Sequence, residues 1–264
     1  MNIIVCVKQV PDAKDVKLDP KTNTLAREGV ESIMNPFDRH ALEAAVKLKE
    51  VCGGQVTAIS MGPPQAEVML REAVSCGADN VALVSDRAFA GADTWATTYT
   101  LGKAVKKVGD FDLIVCGKQA IDGDTAQVGP GLAYRLGVPY VTCVRKIISC
   151  EDGILRLERM MDDGYDELEV DLPALITVVK EINEPRVPSL KGKMKAKKIE
   201  IPVFSAADIG ADADCIGLPG SPTQVQRVFS PEPRGERRLF AGSLDEQIDQ
   251  LVDILKAGNQ PTST

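Results

Sequence analysis

The chain has little of what most catalytic machinery needs. It holds one histidine, His40, and one tryptophan, Trp95, among 264 residues. With a single imidazole and no Ser/His/Asp or Cys/His grouping, there is nothing to support nucleophilic hydrolysis. Seven cysteines, at positions 6, 52, 76, 116, 143, 150 and 215, show no C-x-x-C spacing. An odd count, with Cys6, Cys116 and Cys143 inside apolar runs, reads as reduced core thiols rather than a metal site or a disulfide framework. That implies a reducing compartment, and a cytoplasmic protein is expected. Aromatics make up only 4% of the residues, so Val, Ile, Leu and Ala must fill the core. The net charge of −7 argues against nucleic acid as a partner. No apolar run approaches the ~20 residues of a membrane span. The opening MNIIVCV carries no basic segment ahead of a long apolar one, so no membrane insertion and no secretory signal are expected.

What is present is alternation. Short apolar, β-branched runs at Asn2–Val7, Gln55–Met61, Asn80–Ser85, Asp112–Cys116 and Tyr140–Val144 predict strands. Helical periodicity fills the gaps at Asp38–Val51, Gln65–Ser75, Thr94–Val108 and Thr125–Leu136. Five strands with crossover helices predict an α/β fold with a doubly wound, five-stranded parallel sheet of the adenine-nucleotide-binding type. Residues 145–180 read as antiparallel strands around a turn at Asp162-Asp163-Gly164, a hairpin extension. Residues 11–37 read as an insertion, with a hairpin turn at Asp19-Pro20-Lys21-Thr22 and Asp38 as the cap of the next helix. An α/β domain over 1–184 would then be followed by a partner-directed loop and an extended C-terminal arm over 185–264. Within that arm, Ser243 caps an amphipathic helix running to Lys256.

The most informative stretch is 112–131, DLIVCGKQAIDGDTAQVGPG. A buried strand, a polar glycine-bearing loop and a helix start at Asp124-Thr125 follow one another. That succession suits a phosphate-bearing ligand, because a helix start offers unpaired N–H groups and a positive dipole end. A plain strand-to-helix turn remains the alternative. Thr94 after Gly91-Ala92-Asp93 has the same two readings: an ordinary cap, or a second phosphate site shared with Thr97. His40 reads as structural, and Trp95 as a packing residue.

These residues resemble the beta subunit of electron-transfer flavoproteins over essentially the whole chain. The resemblance rests on VCVKQVPD at 5–12, MNPFD at 34–38, SMGP at 60–63, GKQAIDGDTAQVG at 117–129, NEPR at 183–186 and SLKGKMKAKK at 189–198. It implies an adenine nucleotide held by Cys6, by Asn35, Pro36, Phe37 and Asp38, by Met61, and by the loop after strand four. That loop comprises Gly117, Lys118, Gln119, Ala120, Ile121, Asp122, Gly123, Asp124, Thr125, Ala126, Gln127 and Val128. The form of 86–94 and of 126–128 resembles the electron-bifurcating type. There the ligand is FAD, with NADH as electron donor; the simple type holds AMP instead, and a second phosphate site at Asp93, Thr94 and Thr97 would favour FAD. Implied partners are an alpha subunit, ferredoxin or flavodoxin, and a flavin dehydrogenase or reductase such as an acyl-CoA dehydrogenase. Leu190, with Lys195 and Lys198 around it, would dock that dehydrogenase.

Overall fold

A computed structural model describes residues 1–12, 32–226 and 239–258. The compact unit Met1–Arg227 is built on one nine-stranded sheet. Its first elements in chain order are β1 (Asn2–Cys6), the short antiparallel pair β2 (Gln9–Pro11) and β3 (Ser32–Met34), α1 (Pro36–Cys52), β4 (Gln55–Met61) and α2 (Glu67–Ser75). Then follow β5 (Asn80–Val84), α3 (Thr94–Val108), β6 (Leu113–Gly117) and α4 (Val128–Leu136). The expected turn at Asp19–Thr22 lies outside the described residues.

The later elements are β7 (Tyr140–Glu151), β8 (Ile154–Met160), β9 (Tyr165–Asp171), β10 (Ala174–Val178), α5 (Leu190–Lys198) and β11 (Val203–Phe204). Strand order is β11-β5-β4-β1-β6-β10-β7-β8-β9. The members from β11 to β7 pair in parallel, and β8 and β9 continue the sheet antiparallel. The five expected strands all lie in the parallel part, and β10 and β11 join them there. The expectation that 145–180 is antiparallel throughout is corrected at β10, which lies parallel between β6 and β7. The reason is apolarity: all five residues of Ala174–Val178 are buried, as a strand covered on both faces requires. By contrast β9 is mostly exposed and acidic, which suits a hairpin at a sheet edge.

Because side chains alternate along each strand, the sheet feeds two cores. Ile3, Val5, Leu113, Val115 and Ile176 pack on one face with Leu42 and Val46 of α1 and Leu70 of α2. Ile4, Ile59, Val84, Ile114 and Leu175 pack on the other with Leu101 and Val105 of α3 and Leu132 of α4. The second core also takes Phe204, Ile209 and Ile216, so this part of the polar stretch after 203 lies on the α/β unit. Chain connections run outward from β1 through β4 to β5, then return through α3 to β6 on the other side of β1. The order reverses between β1 and β6, which sets the ligand crevice beyond their carboxyl ends.

The lysine-rich segment, expected as a partner-directed loop, is the helix α5. Ser189 caps it, its Oγ accepting from Gly192 N–H at 2.9 Å. A Cβ on Gly192 would sit 2.2 Å from the Ser75 carbonyl oxygen, so only glycine lets α5 approach the end of α2. At the other end Arg71 donates to the Ala196 and Ile199 carbonyls, neutralising the helix terminus. The second unit, Val228–Thr264, contains α6 (Leu244–Gly258). Its start is a reciprocal capping box. Ser243 N–H donates to Glu246 Oε2 at 2.7 Å, and Glu246 N–H donates to Ser243 Oγ at 3.4 Å. No helix among the described residues is long and apolar enough to cross a membrane.

Candidate nucleotide-binding site

Four strand ends converge on the crevice. Cys6 ends β1 and Met61 ends β4; Asp93 and Thr94 follow β5, and Gly117 ends β6. Asn35 and Asp38 are buried at the start of α1 and tie two of these ends together. Asn35 Nδ2 donates to the Gln119 carbonyl at 2.9 Å, and Ile121 N–H donates to Asn35 Oδ1 at 3.2 Å. One amide thus fixes the loop after β6 from both sides. Asp38 does not cap α1: the helix begins at Pro36, with Asn35 as its flanking residue and no side-chain cap. Its carboxylate instead accepts the Lys8 N–H at 2.8 Å. Burial pushes this carboxyl up to about 7, against the opposing pull of hydrogen bonds from Lys8, Asn35 and Gly117. A Cβ on Gly117 would lie 2.4 Å from Asp38 Oδ1 and 2.7 Å from Phe37 Cβ, so this strand end is open only to glycine.

The two crevice walls are also bridged directly. Lys8 Nζ contacts both Asp122 carboxylate oxygens, at 2.7 and 2.8 Å, across the β1/β6 reversal. With both side chains partly exposed, the pair contributes on the order of 0.5 kcal/mol. Sequence reasoning left Lys8 out of the site. Its place directly after a strand run was the available signal.

The loop 117–127 does not enter its helix where expected. Asp124 and Ala126 have φ of 53° and 54°, left-handed values that a helix cannot contain. Helix α4 therefore starts at Val128, and neither Asp124 nor Thr125 caps it. Asp124 is instead bonded to Gln119. Gln127 flanks the helix without a side-chain cap, and because Pro130 carries no N–H the first turn offers the Val128 and Gly129 N–H groups. Left-handed alanine is uncommon and costs on the order of 1 kcal/mol, strain of the kind held at ligand sites.

Helix α3 is different. Asp93 Oδ1 accepts from Trp95 N–H at 2.9 Å and from Ala96 N–H at 3.0 Å. Its Oδ2 accepts from Thr223 N–H and Oγ1 at 3.0 and 2.8 Å. Burial alone would raise this carboxyl, but its hydrogen bonds to Ala96, Thr223 and Trp95 hold it below the usual range. The Thr94 hydroxyl donates to Gln127 Oε1 at 2.8 Å, joining the two helix starts. Thr97, half-buried one turn on, lies on the same helix.

The 183–186 segment has a structural task. Asn183 Nδ2 donates to the His40 carbonyl at 3.0 Å, and Arg186 pairs with Glu43 and Glu50 at 2.7 Å each. His40 is thereby a structural residue, its Nδ1 2.9 Å from the Asn183 carbonyl. Leu190, at the start of α5, is 79% exposed, and Met194 one turn later is 58% exposed, so the helix presents an apolar pair. Lys195 is turned away from it, donating to the Ala78 carbonyl at 3.2 Å and lying 3.6 Å from Asp79. Lys198 stays on the exposed helix. All seven cysteines are free thiols. Among the described residues, no cluster of His, Cys, Asp or Glu forms a metal site.

Comparison with known proteins decides the family. The electron transfer flavoprotein domain matches residues 22–209. An electron transfer flavoprotein subunit beta from Thermoanaerobacterium thermosaccharolyticum is 50% identical, covering 97% of this chain and 98% of its own. The chain belongs to the electron transfer flavoprotein family, as a beta subunit. Another member of that family, the caffeyl-CoA reductase-Etf complex subunit CarD of Acetobacterium woodii, is 51% identical, again over 97% and 98% of the two chains. Protein FixA of Bradyrhizobium diazoefficiens is 45% identical over 99% of this chain and 93% of its own. The flavoprotein motifs at 34–38, 60–63 and 117–129 are the segments gathered at the crevice.

Proposed function

We propose that the chain pairs with an electron-transfer flavoprotein alpha subunit and holds FAD in the crevice between β1 and β6. The observation that carries this reading is the pair of linked helix starts. A dinucleotide needs room for two phosphates, and the uncapped start of α4 and the first turn of α3 are held side by side by the Thr94–Gln127 hydrogen bond. Ser60 Oγ, buried at the end of β4 with no hydrogen-bond partner, is a further polar atom beneath the rim. The residues fit the group: Asn35 and Asp38 set the loop, and the 120–127 backbone is open. When bound, FAD supplies hydride acceptance from NADH and the division of the two electrons. One electron would go to ferredoxin or flavodoxin, the other through the alpha-subunit flavin to a flavin dehydrogenase or reductase. The high identity to a subunit named for a reductase–Etf complex supports this arrangement over a carrier holding AMP.

The protein's own part is to bind, orient and shield, since no side chain need act as acid, base or nucleophile. Leu190 and Met194, ringed by lysines, would dock the dehydrogenase, with apolar contact for affinity and charge for a fast on-rate. The test is to purify the two-subunit complex and count its nucleotides. Two FAD per complex are expected, bleached on titration with NADH. One FAD with one AMP overturns the reading. Leu190→Ala should slow electron transfer to the dehydrogenase about tenfold, with flavin content unchanged.

A further inference from the structure

A guanidinium without a counter-ion stands beside the linked helix starts. Arg135, on the last turn of α4, carries its guanidinium 3.8 Å above the Trp95 ring and 5.6 Å from the Tyr99 ring. Trp95 is in the first turn of α3, next to Thr94. Arg135 Nε is buried with no hydrogen-bond partner, and among the described residues the side chain makes no ion pair. The acids at the α3 start and in the loop before α4 are committed elsewhere. Asp93 is bound to its own helix start and to Thr223, Asp122 to Lys8, and Asp124 to Gln119. A buried N–H is seldom left this way, because an unmade hydrogen bond there is costly.

Stacking explains where the group is held, and not why it is held there unpaired. A planar guanidinium fixed on an aromatic face keeps its outer N–H fork pointing in one direction, the geometry that matches a phosphate bidentately. Trp95 is 49% exposed, so the stack is open to a ligand from solvent. Trp95 directly follows Thr94, whose hydroxyl is bonded to Gln127 at the uncapped start of α4, so the stack borders a positive dipole end suited to an anion.

We propose that Arg135, oriented by Trp95, is a phosphate-binding residue of the crevice, taking an outer phosphate of a dinucleotide that the α4 start does not itself reach. The proposal rests on the reading that the crevice holds a nucleotide with more than one phosphate. Two sources share this chemistry: the resident flavin dinucleotide, and the pyridine dinucleotide that brings electrons.

Trp95 is the only tryptophan of the chain, so the full chain carries its own reporter. Titration with ADP and with inorganic pyrophosphate should change Trp95 emission saturably. Arg135→Gln should weaken ADP binding about tenfold or more, while Arg135→Lys, which keeps charge but loses the fork, falls between. AMP, lacking the second phosphate, should bind both forms alike. In the two-subunit complex, a resident-flavin contact appears as FAD loss from Arg135→Gln. A donor contact appears as a raised KM for NADH with flavin content unchanged. Equal ADP affinity in wild type and Arg135→Gln, measured by Trp95 emission, overturns the proposal. So does a tenfold loss that AMP shows equally, because it would mark a general disturbance of the pocket. Neither result depends on how many flavins the complex holds.

Discussion

The starts of α3 and α4 come from similar sequence, an apolar strand followed by glycine, aspartate and threonine, and they are finished in opposite ways. At α3 the aspartate lies directly before the helix, and its carboxylate takes the first two free N–H groups. At α4 the aspartate lies four residues before the helix, in a left-handed conformation, and bonds to Gln119 instead. One helix start is closed by the aspartate before it; the other has no side-chain cap. A Gly-Asp-Thr string therefore does not by itself say whether a helix end is structural or binding. The decisive quantity is the number of residues between the acid and the first helical turn.

The two loops also hang on aspartates of opposite electrostatic character, and pH should separate them. Asp38, which anchors the β6 end, has a carboxyl raised from 3.8 to about 7 by burial. Between those values the folded protein holds a proton that the unfolded chain has released. Stability from this group is therefore fully present below about 4 and is lost as pH rises toward 7. At ~1.4 kcal/mol per unit, the loss is roughly 4 kcal/mol. Asp38→Asn keeps an acceptor for Lys8 N–H without the charge, so its urea-unfolding free energy should be flatter over that window. A variant with the same slope as wild type would show that Asp38 is ionised in the fold. Asp93 works in the other direction. Its lowered carboxyl gives stability above the unfolded value that fades as pH falls into the acid range.

Asp93→Ala tests the satisfied start. It removes the cap of α3 and the hold on Thr223, and should cost about 1–2 kcal/mol in urea unfolding. Hydrogen exchange at Trp95 and Ala96 should rise with it. If stability is unchanged, the α3 start has another acceptor and the contrast with α4 fails.

Much of this contrast lay beyond sequence reasoning, for identifiable reasons. Strand β4 and helix α3 were legible to the residue, because each has strong periodicity and a clear break at both ends. The helix at 128 was expected three residues early, since nothing in Asp124-Thr125-Ala126 announces two left-handed residues when neither is glycine or asparagine. Strand β10 was placed in a hairpin because it follows β9 closely. Only its unbroken burial marks a parallel, central strand. The lysine segment lacks an apolar stripe, and its helix is held by Arg71 and by a close approach at Gly192, contacts that depend on the fold. The strand ends that carry the expected site residues were legible, since each apolar run breaks there. Arg135 was not, because its role depends on a stack between two helices that are distant in sequence.

The smallest effect gives the finest test. Gln127→Ala removes no cap, because Gln127 makes none, and loses only the bond from Thr94. Stability without ligand should change by less than about 0.5 kcal/mol, as for an ordinary exposed site. The nucleotide should feel more, because Gln127 both ends the strained loop and fixes Thr94 against α4. A several-fold loss of ADP affinity is expected beside near-native unfolding, read by titration and by urea. A stability loss as large as that of Asp93→Ala would mean that Gln127 is a cap in all but geometry. The two helix starts would then differ only in which residue closes them.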